Sequence, residues 1–281
     1  MITLQTLENS PTGQLLEVFN LAFSDYVVPF SLTIEQLESK IKSDGIRLEL
    51  SAGAFEDDRL VAFVLHGHDI VDGVKVAYNA GTGVIPAKRG NGLTARLHAF
   101  VLPILKAKAI EKVVLEVITT NEPAISTYKK IGFETIRQFN CFKGPIDATT
   151  ETGGFEIRTL DAHDWPRLRS FWDVQPSWQN SVTAVENLKP VTVSIGLYED
   201  EKLSGYAIFN PGTRKIYQLS VDKSCRKRGA GRQLLAYIAA HYGEDFSAIN
   251  VDDASEDTSH FMTGMGMTAY IKQYEMELLL K

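Results

Sequence analysis

The chain contains few cysteines and no long apolar segment. Cys141 and Cys225 are the two cysteines among 281 residues, and they lie far apart in the sequence. They provide no disulfide framework and are too few for a structural zinc site. No segment reaches the roughly 18 apolar residues of a membrane-spanning helix, and the N-terminal MITLQTLENSPTG lacks a signal-peptide pattern. We therefore expect a cytoplasmic protein with free thiols.

Positive charge is also scarce, since the formal net charge is −6. A general nucleic-acid binder would show a basic face, so we expect neither a nucleic-acid partner nor a membrane partner. The cations that are present cluster locally, at Lys88-Arg89 and at Arg226-Lys227-Arg228. Local basic sites on an acidic chain favour a small anionic ligand over a polymer.

Several stretches of the sequence occur twice, in the same order. SAGAFEDDRLVAFVL (51–65) resembles SIGLYEDEKLSGYAI (194–208), and each predicts two strands around an acidic turn. VIPAKRGNGLT (84–94) resembles VDKSCRKRGAG (221–231), which keeps Val, Arg and Gly at matching places. Chance does not readily produce several similar segments in the same order, so the sequence predicts a tandem duplication.

A third match supports two domains of similar size. YKKIGF (128–133) aligns with MTGMGM (262–267). The segment KGPIDATTETGG (143–154) is rich in Gly, Pro and Thr and has no apolar periodicity, which is typical of a linker. We therefore predict an N-terminal domain over residues 1–145 and a C-terminal domain over residues 153–281.

Each half predicts an α/β (α+β) fold, with antiparallel strands first and a β-α-β-α-β segment later. The first half includes a predicted strand over 46–55 and a long helix over 91–107 that contains Pro103. The second half includes a predicted helix over 162–173. These assignments rest on apolar periodicity and on Gly, Pro and capping signals.

The stretch GVIPAKRGNGLTARL (83–97) places a glycine-bearing turn between a strand and a helix. The first N–H groups of a helix lack intrahelical partners, and the helix dipole adds partial positive charge there, so this turn is a candidate phosphate site. Lys88 and Arg89 would add charge-assisted hydrogen bonds. The P-loop pattern and the dinucleotide-binding glycine fingerprint are both absent.

The order of these motifs resembles the GNAT acyl-CoA N-acyltransferases. The resemblance rests on a strand end, an Arg-x-x-Gly turn, and a later Asn and Tyr-x-x-x-Gly-Phe, carried here by Val84, Pro86, Arg89, Gly90, Gly92, Thr94, Asn121, Tyr128, Gly132 and Phe133. It implies two GNAT-like domains, each a mixed, largely antiparallel sheet with flanking helices and a splayed pair of parallel strands. Thr94 departs slightly from the pattern, although a small residue is kept.

The resemblance implies acetyl-CoA as co-substrate and no metal. The implied cofactor-binding residues are Val84, Arg89, Gly90, Asn91, Gly92, Leu93, Thr94 and Asn121. A possible second CoA site comprises Val221, Arg226, Gly229 and Gly231. The later motif is eroded in the second half, where Met262 and Ser255 stand in place of Tyr128 and Asn121. Asn121 could equally cap the next helix.

The resemblance also implies candidate catalytic residues. Tyr128 would protonate the leaving sulfur as a general acid, against the alternative of a packing tyrosine. Glu116 is the one charge in the apolar strand VVLEVI and is, from the residues alone, a candidate base, with Tyr78 and Asn79 as comparable candidates. A strand-end or surface-directed glutamate is the favoured alternative.

The segment after the first helix is expected to line the acceptor pocket. In it, Asp25 would pair with a cationic amine and Tyr26 would supply an apolar wall, with core packing as the alternative for the aromatic residues. His66 and His68 alternate along one strand, but no third ligand accompanies them, so a metal site is not expected.

These observations predict an N-acetyltransferase that transfers an acetyl group from acetyl-CoA to an amine of small-molecule or peptide type, with catalysis in the first half. One alternative is an acyl-CoA-binding regulatory or scaffold protein without transferase activity. Another is catalysis in the C-terminal half. The sequence predicts neither the identity of the amine nor the oligomeric state.

Overall fold

The computed structural model describes residues 1–26, 30–147 and 154–280. Much of the predicted linker, residues 148–153, and part of the predicted acceptor segment, residues 27–29, lie outside these ranges. The chain forms two compact units: Met1–Ile136 together with the chain from Tyr274 onward, and Arg137–Gln273. None of the helices in the described ranges is both long and apolar enough to cross a membrane.

The secondary structure repeats along the chain in a similar order. The first set of elements is β1 (Ile2–Thr6), α1 (Thr12–Phe23), α2 (Ile34–Ser43), β2 (Ala52–Glu56), β3 (Arg59–Val71), β4 (Val74–Val84), α3 (Leu93–Ala107), β5 (Lys112–Ile118), α4 (Glu122–Ile131) and β6 (Glu134–Pro145). The second set is β7 (Glu156–Thr159), α5 (Trp165–Arg169), α6 (Val182–Asn187), β8 (Val193–Glu199), β9 (Lys202–Asn210), β10 (Lys215–Val221), α7 (Ala230–Tyr242), β11 (Asp245–Asp252), α8 (Glu256–Gly264) and β12 (Thr268–Leu279).

The first unit, Met1–Ile136 with the chain from Tyr274 onward, is built on a mixed sheet in the order β1-β2-β3-β4-β5. Neighbours from β1 to β4 are antiparallel, whereas β4 and β5 are parallel. The β12 residues from Tyr274 onward also belong to this unit and follow β5 in the sheet. Lys112 of β5 forms a salt bridge with Glu277 at 2.7 Å. A strand segment from the far end of the chain therefore completes this unit.

The second unit, Arg137–Gln273, has the strand order β7-β8-β9-β10-β11-β6. Its one parallel pair among the described strands is β10 with β11, at Lys215↔Ser247 and Ile216↔Ala248. The remaining pairs in this order are antiparallel. The predicted mixed α/β fold, with a parallel pair in a largely antiparallel sheet, is confirmed.

The backbone of both units carries the same irregularities. The β2–β3 turn holds Asp57 and Asp58 at φ of 48° and 63°, and the β8–β9 turn holds Asp200 and Glu201 at 46° and 64°. Two successive positive φ angles match the twist of a tight hairpin, and Asp tolerates them better than most residues. The presence of the same unusual turn in both hairpins supports the predicted duplication.

Helices cover both faces of the first unit's sheet. Leu97 and Val101 of α3 pack with Val113 and Leu115 of β5 in one core. On the other face, Phe19 of α1 stacks on Phe63 of β3 with ring centroids 5.5 Å apart. In the second unit, the corresponding core contains buried aliphatic residues of α7 packed with residues of β8, β9 and β11.

Two predicted elements are wrong in extent. Within the predicted strand 46–55, Leu48–Leu50 form a 3-10 turn before β2, because the backbone N–H groups of Leu50 and Ser51 donate to the carbonyl oxygens of Arg47 and Leu48 instead of to a neighbouring strand. The predicted helix over 162–173 is limited to α5, which the Asp164 side chain caps at its start. Helix α3 runs through Pro103. The compact units also divide the chain at places other than the predicted domain boundaries, 1–145 and 153–281, which stay predictions.

Candidate functional site

The strands β4 and β5 separate partway along the first unit's sheet. Their parallel pairing runs from Val76↔Lys112 to Asn79↔Leu115 and stops there, although both strands continue. At the same level, β4 bulges against β3, because Leu65 pairs with Gly81 while His66 pairs with Asn79. The extra residue bends β4 away from β5. The result is a gap bordered by two strand edges.

The glycine turn follows the end of β4. Gly90 and Gly92 adopt φ of 77° and 67°, in the left-handed region that favours glycine. A Cβ at either position would meet nothing within 4 Å, so the turn is open on this side. Helix α3 begins at Leu93 without a side-chain cap. Its first N–H groups therefore remain available to an anion.

The separated end of β4, from Thr82 to Val84, and the glycine turn border one cavity of about 690 Å³. Predicted site residues that line it are Asp25, Tyr26, Val84, Arg89, Gly90, Gly92, Leu93, Thr94, Asn121 and Tyr128. Asn91 and Glu116 do not line it. The Asn91 amide instead donates to the carbonyl oxygens of Lys88 and Arg89, which stabilises the turn.

Both cations of the turn are paired with carboxylates. The Lys88 ammonium contacts Glu56 at 2.6 Å. The Arg89 guanidinium donates to both carboxylate oxygens of Asp25 at 2.7 Å. This hydrogen bonding holds the pKa of Asp25 below its usual range. From the sequence these side chains were expected to face a ligand, and their carboxylate partners were not predicted.

Tyr128 on α4 points its ring into the core and its hydroxyl toward the bulge of β4. Burial raises the pKa of its phenol, an effect that the neighbouring polar side chains of Thr82 and Asn79 partly oppose. Thr82 and Asn79 also hydrogen-bond each other at 2.9 Å. The phenol is therefore protonated at neutral pH. Thr82 was not predicted as a site residue from the sequence. It lies in the part of β4 after Asn79, which no longer pairs with β5.

Asn121 caps α4, which is one of the two roles expected for it. Its Oδ1 accepts from the backbone N–H of Ala124 at 3.2 Å, and its Nδ2 donates to the hydroxyl of Tyr26 at 3.3 Å. The cap therefore links α4 to the segment after α1. Lys130 of α4 also lines this cavity and adds a cation to it. It was not predicted as a site residue from the sequence.

Glu116 and Tyr78 form a separate pair. The Tyr78 hydroxyl donates to the Glu116 carboxylate. Glu116 alternates along β5 with Leu115 and Val117, which face the core that contains Tyr128. Successive side chains of a strand point to opposite faces, so Glu116 lies on the face opposite this core.

Two histidines are buried behind Tyr128. His66 Nδ1 lies 2.9 Å from the Leu50 carbonyl oxygen, and His98 Nδ1 lies 2.9 Å from that of Thr94. Burial, with a smaller contribution from His98, lowers the pKa of His66 to about 3. Burial also lowers the pKa of His98. The imidazoles are therefore neutral. Within the described ranges, no three His, Cys, Asp or Glu residues group as metal ligands.

The second unit has a smaller cavity of about 380 Å³ at its own turn, lined by Val221, Arg226, Gly229 and Gly231 among others. Gly229 has φ of 86° and precedes α7, which also lacks a side-chain cap. A Cβ on Gly231 would approach the Phe261 ring to 3.0 Å. Phe261 of α8 thus packs directly against the start of α7. Met262, buried in the place of Tyr128, provides no acidic proton.

Comparison with known proteins gives a family for both halves. A model of the acetyltransferase (GNAT) family matches residues 15–133 and again residues 156–267. These two regions contain the two glycine turns, and the first region extends to the Gly-Phe pair after Tyr128.

Two curated relatives are similar to parts of the chain. N-alpha-acetyltransferase 30 of Schizosaccharomyces pombe is 30% identical over 86 residues, which is 30% of this chain and 57% of that protein. Mycothiol acetyltransferase of Saccharomonospora viridis is 43% identical over 54 residues, 19% of this chain and 18% of that protein. The similarity thus spans just over half of the first relative and under a fifth of the second.

Solved structures share the fold along the whole chain. A tandem GNAT protein from the clavulanic acid biosynthesis pathway superimposes with a TM-score of 0.72 at 13% identity, covering 100% of this chain and 99% of that one. A GCN5-related N-acetyltransferase from Sphaerobacter thermophilus gives 0.73 at 14% identity, covering 100% and 96%. At these identities the likeness concerns the fold alone.

Proposed function

Because the chain belongs to the GNAT acetyltransferase family, we propose that its first unit transfers an acetyl group from acetyl-CoA to an amine, with Tyr128 as the general acid. GNAT acetyltransferases use acetyl-CoA as co-substrate and act on amines. The observation that carries the proposal is the position of Tyr128. Its phenol lines the same cavity as the uncapped start of α3, at the level where β4 and β5 separate. The second unit has Met262 at the corresponding place.

The residues of the first cavity suit an acyl-CoA. A diphosphate needs N–H donors and close approach to the backbone, and Gly90 and Gly92 leave open space beside the first N–H groups of α3. We assign phosphate binding to the backbone of this turn, from Gly90 through Thr94. We assign the extended part of the cofactor to the separated edge of β4 that ends at Val84. Asn121 would contact the cofactor from the start of α4.

Acetyl-CoA would supply an acetyl group activated as a thioester, whose carbon–sulfur bond is exchanged for a carbon–nitrogen bond to the amine. Tyr128 keeps its proton at neutral pH because burial raises its pKa, and it donates that proton to the leaving sulfur. Thr82 and Asn79, which hydrogen-bond each other and lower the pKa of this phenol, would orient its hydroxyl. A backbone N–H near Val84 would stabilise negative charge on the carbonyl oxygen.

The amine must lose a proton on the acceptor side. We propose that Glu116, paired with Tyr78, accepts this proton directly or through water. The pair lies on the face of β5 opposite the core that holds Tyr128. An acid and a base on opposite faces of the separated strands would let the amine approach from one side while the sulfur is protonated from the other. Tyr26 would form part of the acceptor wall.

The test combines binding with turnover. Isothermal titration should show that acetyl-CoA binds, and a thiol-release assay should detect turnover with a panel of peptide α-amino groups, amino acids, aminoglycosides and simple primary amines. No heat at millimolar acetyl-CoA would overturn the proposal. Binding without thiol release on any acceptor would instead favour an acyl-CoA-binding protein without transferase activity.

Matched variants in the two units identify the catalytic one. Arg89→Glu and Gly92→Trp should abolish turnover, while Arg226→Glu and Gly229→Trp should leave most of it. The reverse pattern would assign catalysis to the C-terminal unit.

A further inference from the structure

The hydrogen bonds of Arg89 leave its side chain little to offer a ligand. A guanidinium has five N–H donors. Nε donates to the Val84 carbonyl oxygen at 3.2 Å, and Nη2 donates to that of Ala22 at 3.0 Å. Two further donors bind the Asp25 carboxylate in a fork. Four of the five donors are therefore already used by the protein.

The second unit repeats this arrangement at Arg226. Its Nε donates to the Val221 carbonyl oxygen at 3.1 Å, and its Nη2 donates to that of Phe171 at 2.8 Å. Its Nη1 donates to the carboxylate of Asp173 at 2.7 Å. Each arginine thus joins the end of the preceding strand to the region where the unit's first helix ends and the next segment begins. Two units with diverged sequences have kept the same three kinds of acceptor.

The segment after α1 is attached to the cavity at a second point. Tyr26, next to Asp25, accepts a hydrogen bond from Asn121 at the start of α4. Asp25 and Tyr26 therefore connect to the turn before α3 and to the cap of α4, and all of these residues line one cavity. The two helix starts are held in place by neighbouring residues of a single segment.

We propose that Arg89 is a positioning residue, which with Asp25 holds the glycine turn against the segment after α1 and does not itself bind the phosphates of the cofactor. This inference rests on the proposed acetyl-CoA site. Phosphate recognition then depends on the backbone N–H groups of the turn, whose orientation the Asp25–Arg89 pair maintains. The pair is about half exposed, with 53% and 43% of the two side chains accessible, so it contributes little to global stability.

The two possible roles of Arg89 predict opposite effects of Asp25→Asn. If Arg89 bound phosphate, this variant would free the guanidinium and remove a nearby negative charge, so CoA would bind more tightly. If Arg89 positions the turn, the same variant loosens the turn and weakens CoA binding, by about fivefold for an exposed charged pair. Arg89→Gln weakens CoA binding whichever role Arg89 has. Whether Asp25→Asn strengthens or weakens CoA binding therefore distinguishes the two roles.

The first experiment is isothermal titration of CoA into the wild type, Asp25→Asn, Arg89→Gln and the double variant. We expect both single variants to weaken binding to a similar extent and the double variant to be no weaker than either, since both remove one contact. Tighter or unchanged binding in Asp25→Asn would overturn the inference. Absence of CoA binding in the wild type would overturn the proposed function.

The second experiment needs no ligand. Amide hydrogen exchange over residues 86–94 should accelerate equally in Asp25→Asn and Arg89→Gln, with an unchanged melting temperature. Glu56→Gln is the matched control, because it removes the carboxylate partner of the adjacent Lys88. Exchange at the turn that stays at the wild-type rate in both variants, or that rises as much in the control, would overturn the positioning role even if CoA does not bind.

Discussion

The buried histidines behind Tyr128 make the stability of the first unit depend on pH. The pKa of His66 is about 3 in the folded chain, against about 6.5 in an unfolded chain. As the pH falls below 6.5, the unfolded chain binds a proton at this position and the folded chain does not. The stabilisation is therefore fully present above pH 6.5 and is lost progressively toward pH 3, with a limiting slope of about 1.4 kcal/mol per pH unit.

The size of this effect follows from the two pKa values. Between pH 8 and pH 5, His66 alone should reduce the free energy of unfolding by about 2 kcal/mol. His98 acts in the same direction, because burial lowers its pKa as well. Carboxylates with lowered pKa values, such as Asp25 and Glu56, add to acid lability only at lower pH, so this interval isolates the histidines.

The perturbation is His66→Asn, which retains a donor near the Leu50 carbonyl oxygen and removes the titrating ring. Urea unfolding followed by far-UV circular dichroism at pH 8 and pH 5 gives the loss of stability for each protein. The tryptophans Trp165, Trp172 and Trp178 all lie in Arg137–Gln273, so their fluorescence reports the other unit separately.

We expect the loss between the two pH values to be about 2 kcal/mol smaller in His66→Asn than in the wild type. The compared quantity is the difference in unfolding free energy between pH 8 and pH 5 within each protein. A substitution that destabilises the protein equally at both pH values therefore does not change it. His260→Asn, at an exposed position, controls for the substitution itself. An equal loss in His66→Asn and wild type would refute the argument that a neutral, buried imidazole causes the dependence.

Three further substitutions follow from the site and its surroundings. Tyr128→Phe should lower kcat with little change in CoA affinity, because the hydroxyl acts in the transition state; an unaltered kcat in the thiol-release assay would exclude the general-acid role. Gly92→Ala should cost about 1 kcal/mol at its left-handed φ and reduce turnover more than Gly229→Ala, and equal losses would count against catalysis in the first unit. Gly83→Ala would place a Cβ 2.6 Å from the Phe63 ring, so urea unfolding should show a loss of about 1–3 kcal/mol. Gly81→Ala is its control, because the nearest atom to its Cβ is 3.8 Å away, and a similar loss there would contradict the packing argument.

Much of the backbone could be predicted from the sequence because its signals are local. The long helix predicted over 91–107 matches α3 (Leu93–Ala107) to within two residues, because its apolar periodicity and the glycines before it are local signals. The duplication was visible because glycines and acidic turn residues recur at positions where the backbone of both units is left-handed, and because an arginine precedes each glycine turn. GNAT membership followed from the spacing of these motifs.

The electrostatics of the site could not be predicted in the same way. Lys88 and Arg89 read as free cations in the sequence, but their partners Glu56 and Asp25 are brought to them by the β2–β3 hairpin and by α1. Such pairs depend on tertiary contacts between residues far apart in the chain. The bulge in β4 likewise has no local signal. Its extra residue is Ala80, between Asn79 and Gly81, and an alanine occurs equally in regular and in bulged positions of a strand.

The strand segment that follows β5 in the first unit's sheet has a consequence for synthesis on the ribosome. Residues 274–279 are translated only after the whole of Arg137–Gln273 has been made. At typical elongation rates this delay is on the order of ten seconds or more. During that interval β5 lacks the neighbour it has in the finished protein, and its backbone groups are exposed to other nascent chains. The unit whose synthesis begins first, at Met1, is therefore the last to obtain all of its strands.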